Sequence, residues 1–243
     1  MPSPTVQIGL VQMPCSADIG TNLESASAGI RDCAARGAQI ICLQELVATE
    51  YFCFEENYDH FELAEPTDGR TVSHFAGLAK ELETVIIVPF FERRASGLYH
   101  NSAAVIDADG TTLGIYRKMH IPDDPGFLEK FYFSPGDLGF RVFDTRFGKI
   151  SVLICWDQWF PEGARLAALA GAQIIFYPTA IGWHPTEPEL REKYATGWEI
   201  SMRAHAIANG SYVAAINRTG SEGNMSFWGR SFVAGPMGEI LEQ

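Results

Sequence analysis

Apolar positions along the chain switch between two periods. Residues 5–11 put Val6, Ile8 and Leu10 on one face and predict a strand. Leu23, Ala26, Ile30 and Ala34 then recur at helical spacing. They predict a helix that opens in the capping-box pattern Thr21-Asn22-Leu23-Glu24 and stops at Gly37. Residues 39–43 form a short continuous apolar run, the pattern of a strand buried on both faces, and lead directly into Gln44-Glu45. A second helix is predicted over 70–82 from the stripe Val72, Phe75, Ala79 and Leu82, followed by an apolar strand over 85–90.

Hairpins come next. Strands over 102–106 and 112–116 flank the turn residues Ala108-Asp109-Gly110, and strands over 141–143 and 149–154 flank Phe147-Gly148. A helix over 162–170 ends at Gly171, a strand follows over 173–177, and a long helix over 190–209 is closed by Gly210. Strands are predicted over 212–216, 226–234 and 239–241, the last two around Gly235-Pro236-Met237-Gly238, while Gly220 to Gly223 read as a turn. Strands alternating with helices and mixed with hairpins imply an α/β layered domain with mixed sheets, spanning 1–243 without a linker or internal repeat. Three long irregular stretches, 49–69, 121–139 and 180–189, have the length at which loops tend to carry function.

Composition narrows the function classes. With 47% hydrophobic residues in 243, a large core can be buried. The formal charge of −12 disfavours a phosphate-backbone partner, so no nucleic acid is expected. No apolar run reaches the ~18–20 residues needed to span a bilayer, and the start of the chain lacks a signal-peptide pattern. Five irregularly spaced cysteines (15, 33, 42, 53 and 155) argue against a disulfide framework, and a reduced, cytoplasmic setting is expected.

Cys155 stands where the apolar strand ends and Trp156-Asp157-Gln158-Trp159-Phe160-Pro161-Glu162 turns into a helix. A nucleophile on such a turn meets substrate, nearby backbone N–H groups can hold an oxyanion, and a helix N-terminus favours thiolate. The competing reading is a small buried hydrophobe, which suits Cys33 and Cys42 better. A thiol nucleophile needs a base and an electrophilic partner. Glu45 and Lys118 each close a predicted strand. Taken singly, either residue is more commonly a solvated charge. His120 and His205 are alternative bases, but His205 falls inside a predicted helix, and the surroundings of Cys155 do not resemble thiol proteases. There is no His-Glu-x-x-His, no paired Cys-x-x-Cys and no phosphate-binding glycine pattern, so no metal and no cofactor are expected.

Gln44-Glu45-Leu46, Tyr116-Arg117-Lys118-Met119-His120 and Ile154-Cys155-Trp156-Asp157 resemble the Glu, Lys and Cys motifs of the nitrilase (carbon–nitrogen hydrolase) superfamily. Their spacings of 73 and 37 residues also fit. The run from His120 to Asp137 and the motifs 155–162, 176–182 and 231–236 are similar to the N-carbamoylputrescine amidohydrolase branch. The resemblance implies a four-layer αββα sandwich. It also implies a general base at Glu45, a nucleophile at Cys155, an intermediate-stabilising Lys118, and a second glutamate, Glu129, that positions the lysine or the substrate. The backbone N–H of Trp156 would complete an oxyanion hole, and Tyr51, Asp123, Trp156, Thr179 and Ala180 would line the substrate site. The implied substrate is a small amide or carbamoyl amine, with a cation-bearing tail met by Asp123, Asp124 and Glu129. Asp123 and Asp124 could equally shape a turn. An anionic substrate such as N-carbamoyl-β-alanine would want an arginine, for which Arg203 and Arg230 are candidates. A nitrile hydrolase and a silent binding protein on the same fold are the other readings. Segments 47–53 and 183–188 depart from the branch pattern. Family members continue past Leu241 with a strand and a tail used in dimer contacts, so a homo-oligomer built from dimers is implied, and a missing C-terminal segment is expected here.

Overall fold

Side chains alternate between two faces residue by residue along the first strands, and this alternation builds the layers. The structure, a computed structural model, describes residues 5–183 and 188–243. The first sheet has the order β1 (Ile8–Val11), β2 (Ile40–Leu43), β3 (Val85–Ala95), β4 (Leu98–Ile106) and β5 (Thr112–Arg117). Strands β1 to β3 run parallel, and β4 and β5 return antiparallel. Ile41, Leu43, Ile86, Val88, Ala104 and Ile106 point to one side, into a cluster with Leu23, Ile30, Val72 and Phe75. Those four come from helices α1 (Ile19–Ala35) and α2 (Arg70–Leu82), which therefore cover the outer face. Ile40, Cys42, Val85, Ile87, Ala103 and Val105 point to the other side and pack with Ile150, Val152, Tyr177 and Val213 of a second sheet. A period-2 strand that is apolar on both faces can sit only between two layers.

The second sheet has six strands. Element α3 (Glu129–Tyr132) precedes it, a single turn in the loop after β5. The strands are β6 (Val142–Thr145), β7 (Gly148–Val152), β8 (Ile174–Thr179), β10 (Tyr212–Asn217), β13 (Phe232–Ala234) and β14 (Ile240–Glu242). They are ordered β14-β13-β10-β8-β7-β6. Strands β7, β8 and β10 are parallel, and the flanking strands are antiparallel. Helices α4 (Pro161–Leu169) and α5 (Arg191–Asn209) contribute Ala164, Ala167, Trp198 and Met202 to the same core. The result is helix, sheet, sheet, helix, the α/β fold with mixed sheets expected from the sequence. A separate three-stranded sheet joins β9 (Gly182–Trp183), β11 (Thr219–Glu222) and β12 (Met225–Trp228).

Element boundaries differ from the sequence expectation in four instructive places. Helix α1 is capped by Asp18, whose carboxylate accepts from Thr21 N at 2.6 Å, so the helix starts before the Thr21 capping box. Residues 226–234 are not one strand. Gly229 (φ 63°) and Arg230 (φ 56°) are both left-handed and carry the chain from the small sheet to the large one. The Gly220–Gly223 turn is mostly strand β11, with Gly223 alone at the bend. Strands β3 and β4 extend beyond the predicted 85–90 and 102–106, and the extension of β4 carries Asn101, which touches Glu45.

Candidate active site

Glu45, Lys118 and Cys155 each lie just past the end of a core strand, and Glu129 lies on the first turn of a short helix. Glu45 follows β2, Lys118 follows β5, and Cys155 follows the extended residues after β7. All three are buried, Cys155 at 3% exposure and the other two at 0–1%. Glu129, at the start of α3, is likewise fully buried. The Lys118 ammonium binds both carboxylates: Nζ lies 2.8 Å from Glu45 Oε1 and 2.9 and 2.7 Å from the two oxygens of Glu129. Glu45 Oε1 also accepts from Asn101 Nδ2 at 2.7 Å, and Glu129 Oε1 accepts from the Tyr51 hydroxyl at 2.7 Å. Among the described residues Glu45 Oε2 is buried with no hydrogen-bond partner.

Burial by itself would push the Lys118 ammonium down. The charges of Glu129 and Glu45 outweigh it and hold the group well above the usual lysine value. Burial raises Glu129 to about 7, with Lys118 opposing and Glu45 adding to the rise. The Cys155 thiol is also pushed well above its usual value, first by burial and then by the charge of Glu45. Lys118 and the backbone N–H of Ala180 act the other way. The expectation that a helix N-terminus favours thiolate is therefore corrected: desolvation dominates and the resting group is the thiol.

The nucleophile turn is held by Asp157. Its carboxylate accepts from Ile154 N (2.9 Å), the Tyr116 hydroxyl (2.7 Å), His120 N (3.0 Å) and His120 Nδ1 (2.7 Å). One buried side chain thus ties the residue before Cys155 to the residues two before and two after Lys118. Cys155 takes φ 43°, a left-handed conformation for a non-glycine residue, and opens a 3-10 helix over Cys155–Trp159. His120 is committed to Asp157 and stacks on Phe160 at 3.6 Å. His205 bonds Gln158 O and stacks on Tyr177.

The residues expected to line the substrate site separate into two groups. Tyr51 is fully buried, with its hydroxyl spent on Glu129; Thr179 ends β8 with its hydroxyl donated to Tyr177 O; Ala180 lies at the sulfur of Cys155. Trp156 is half-buried and meets Trp159 edge-on. Asp123, by contrast, is exposed beside the Asp124–Phe127 turn, whose Phe127 ring meets Tyr51 edge-on. Arg203 pairs with Glu199, and Arg230 with Glu192 on the surface, so neither joins the cluster. Of the divergent segment 183–188, residues 184–187 lie outside the described residues.

Two contributors escaped the sequence reading. Asn101, on β4, touches Glu45. Arg218 is fully buried; it donates to the carbonyls of Glu45, Leu46 and Thr49 and pairs with Glu222, which also accepts from Tyr51 N at 2.5 Å. Only a long-range fold reveals them, because their partners are 56 and more than 160 residues away. Among the described residues no group of three or more His, Cys, Asp or Glu side chains is arranged for a metal, and no helix is long and apolar enough to cross a membrane.

A sandwich of two mixed sheets with a buried Glu–Lys–Glu cluster beside a cysteine defines a hydrolase of carbon–nitrogen bonds. The carbon-nitrogen hydrolase family model matches residues 7–243, and the chain belongs to that family. It is 49% identical to the N-carbamoylputrescine amidase of Arabidopsis thaliana over 98% of this chain and 82% of the relative. It is 42% identical to the citrullinase of Francisella tularensis, over 98% of this chain and 84% of the relative. A crystal structure of a carbon-nitrogen hydrolase from Helicobacter pylori G27 superposes with a TM-score of 0.94 at 42% identity, over 97% of this chain and 84% of that one. The chain is an amidohydrolase acting on a small amide.

Proposed function

We propose that this enzyme cleaves the ureido C–N bond of a small N-carbamoyl amine, with N-carbamoylputrescine as substrate and putrescine, CO2 and ammonia as products. The observation that carries the chemistry is the cluster itself: Lys118 bonded to Glu45 and Glu129, their charges acting on the Cys155 thiol, and Glu45 Oε2 left without a hydrogen-bond partner among the described residues. In this reading Glu45 Oε2 accepts the thiol proton as sulfur attacks the ureido carbon. In the resting site Oε2 has no hydrogen bond to the thiol, so the transfer requires the closer approach that bound substrate imposes. The carbonyl π electrons move onto oxygen, where Lys118 Nζ and the Trp156 N–H stabilise the oxyanion. When it collapses, the C–N bond breaks and Glu45 returns the proton to the departing nitrogen. A carbamoyl thioester on Cys155 remains. Water, deprotonated by Glu45, cleaves it to release carbamic acid, which falls to ammonia and CO2, and the thiol is restored.

The substrate assignment is supported by the 47–49% identity to plant relatives named N-carbamoylputrescine amidase. Comparing ammonia release from N-carbamoylputrescine, N-carbamoyl-β-alanine, citrulline and a simple ω-amide tests it. Preference for N-carbamoylputrescine is expected, and preference for an anionic substrate would overturn it. Five free cysteines support a reduced, cytoplasmic setting. Exposed Leu166 and Leu169 on α4 with Ile200 and Ile207 on α5 support a homo-oligomer built from dimers, which sedimentation would test.

A further inference from the structure

Glu45 presents two oxygens in unequal circumstances. Oε1 accepts from both Lys118 Nζ, at 2.8 Å, and Asn101 Nδ2, at 2.7 Å; Oε2 accepts from none of the described residues. A carboxylate can only accept, so the Asn101 amide must turn its NH2 toward Glu45. The backbone of the same asparagine contributes as well, because its carbonyl accepts the Lys118 amide N–H at 2.8 Å. Asn101 is fully buried on β4, opposite Phe91 of β3. One residue of a rigid strand therefore references both Glu45 and Lys118.

Its own Oδ1 is buried and has no partner among the described residues. An orphaned buried acceptor is destabilising, and a leucine of similar size would remove it. Stability therefore does not account for an amide here, whereas control of Glu45 does. We propose that Asn101 is a positioning residue: it saturates Glu45 Oε1, fixes the carboxylate plane, and leaves Oε2 as the one oxygen available to take the Cys155 proton. The proposal rests on the catalytic reading above, in which Glu45 is the base.

The test is kcat and KM for N-carbamoylputrescine hydrolysis, with the urea midpoint, for wild type, Glu45→Gln, Asn101→Leu and Asn101→Asp. N101L removes the donor and the orphan together. It is expected to unfold in urea near the wild-type midpoint and to lose about tenfold to a hundredfold in kcat, the worth of one hydrogen bond to a charged group, with KM nearly unchanged. N101D keeps the side-chain shape but replaces the donor with a carboxylate, and should lower kcat at least as far. A merely structural asparagine would lose activity and urea midpoint together. A wild-type kcat in N101L, or a loss of kcat accompanied by an equal loss of folded protein in both variants, overturns the proposal while E45Q remains inactive. Activity retained by E45Q removes the base itself, and the proposal with it.

Discussion

Replacing Arg218 with methionine should separate stability from catalysis. The guanidinium is buried at 0% exposure and its partner Glu222 at 1% by side chain. It donates to three backbone carbonyls of the segment that carries Glu45. Leu46 in that segment holds φ 50°, a conformation that needs such anchoring. Arg218→Met strands a buried carboxylate, a change that costs about 3–5 kcal/mol. That is a large share of the ~5–15 kcal/mol that holds a typical domain together. Arg218→Met with Glu222→Leu removes both charges and should recover most of this loss. It restores neither the carbonyl contacts nor the bond from Tyr51 N, so kcat should stay depressed. Urea unfolding followed by circular dichroism gives the first quantity and ammonia release the second. An unchanged midpoint in R218M, or wild-type kcat in the double variant, would refute the reasoning.

Other outcomes follow from the same contacts. Glu129, held at about 7 by burial, stays protonated in the folded protein over a range where the unfolded chain, with its ordinary value of 4.5, has lost the proton. Its contribution to stability is therefore complete below 4.5 and lost as pH rises through about 7. Glu129→Gln should flatten that decline in urea titrations run across the window, and a slope identical to wild type would count against it. Asp157→Asn puts an NH2 among four converging donors, and a loss of about 1–3 kcal/mol is expected, with lower kcat from a displaced Cys155 turn. Gly136→Ala would set a Cβ 2.1 Å from the Arg117 carbonyl, so the strand end bearing Lys118 must shift. Thermal unfolding should register about 1–3 kcal/mol of overpacking.

How much of this was legible in the sequence depends on range. Helix α2 was bounded correctly because its apolar stripe and ends are local signals. The strands ending at Glu45, Lys118 and Cys155 were readable for the same reason, and motif spacing made their convergence expected. The left-handed pair Gly229-Arg230 was not legible, since only glycine advertises such a backbone and arginine does not. Asn101 and Arg218 carry no local mark of function. Each acts through a partner brought near by sheet pairing or loop closure. Asp123 stands beside a turn closed by Asp124 and Phe127, a position compatible with both sequence readings of it, turn residue and acidic approach.

The most direct trial of the account is ammonia release from N-carbamoylputrescine by Cys155→Ala, with folding verified by its urea midpoint. The account predicts none above background from a protein that unfolds like wild type. Hydrolysis at a rate comparable to wild type would contradict it.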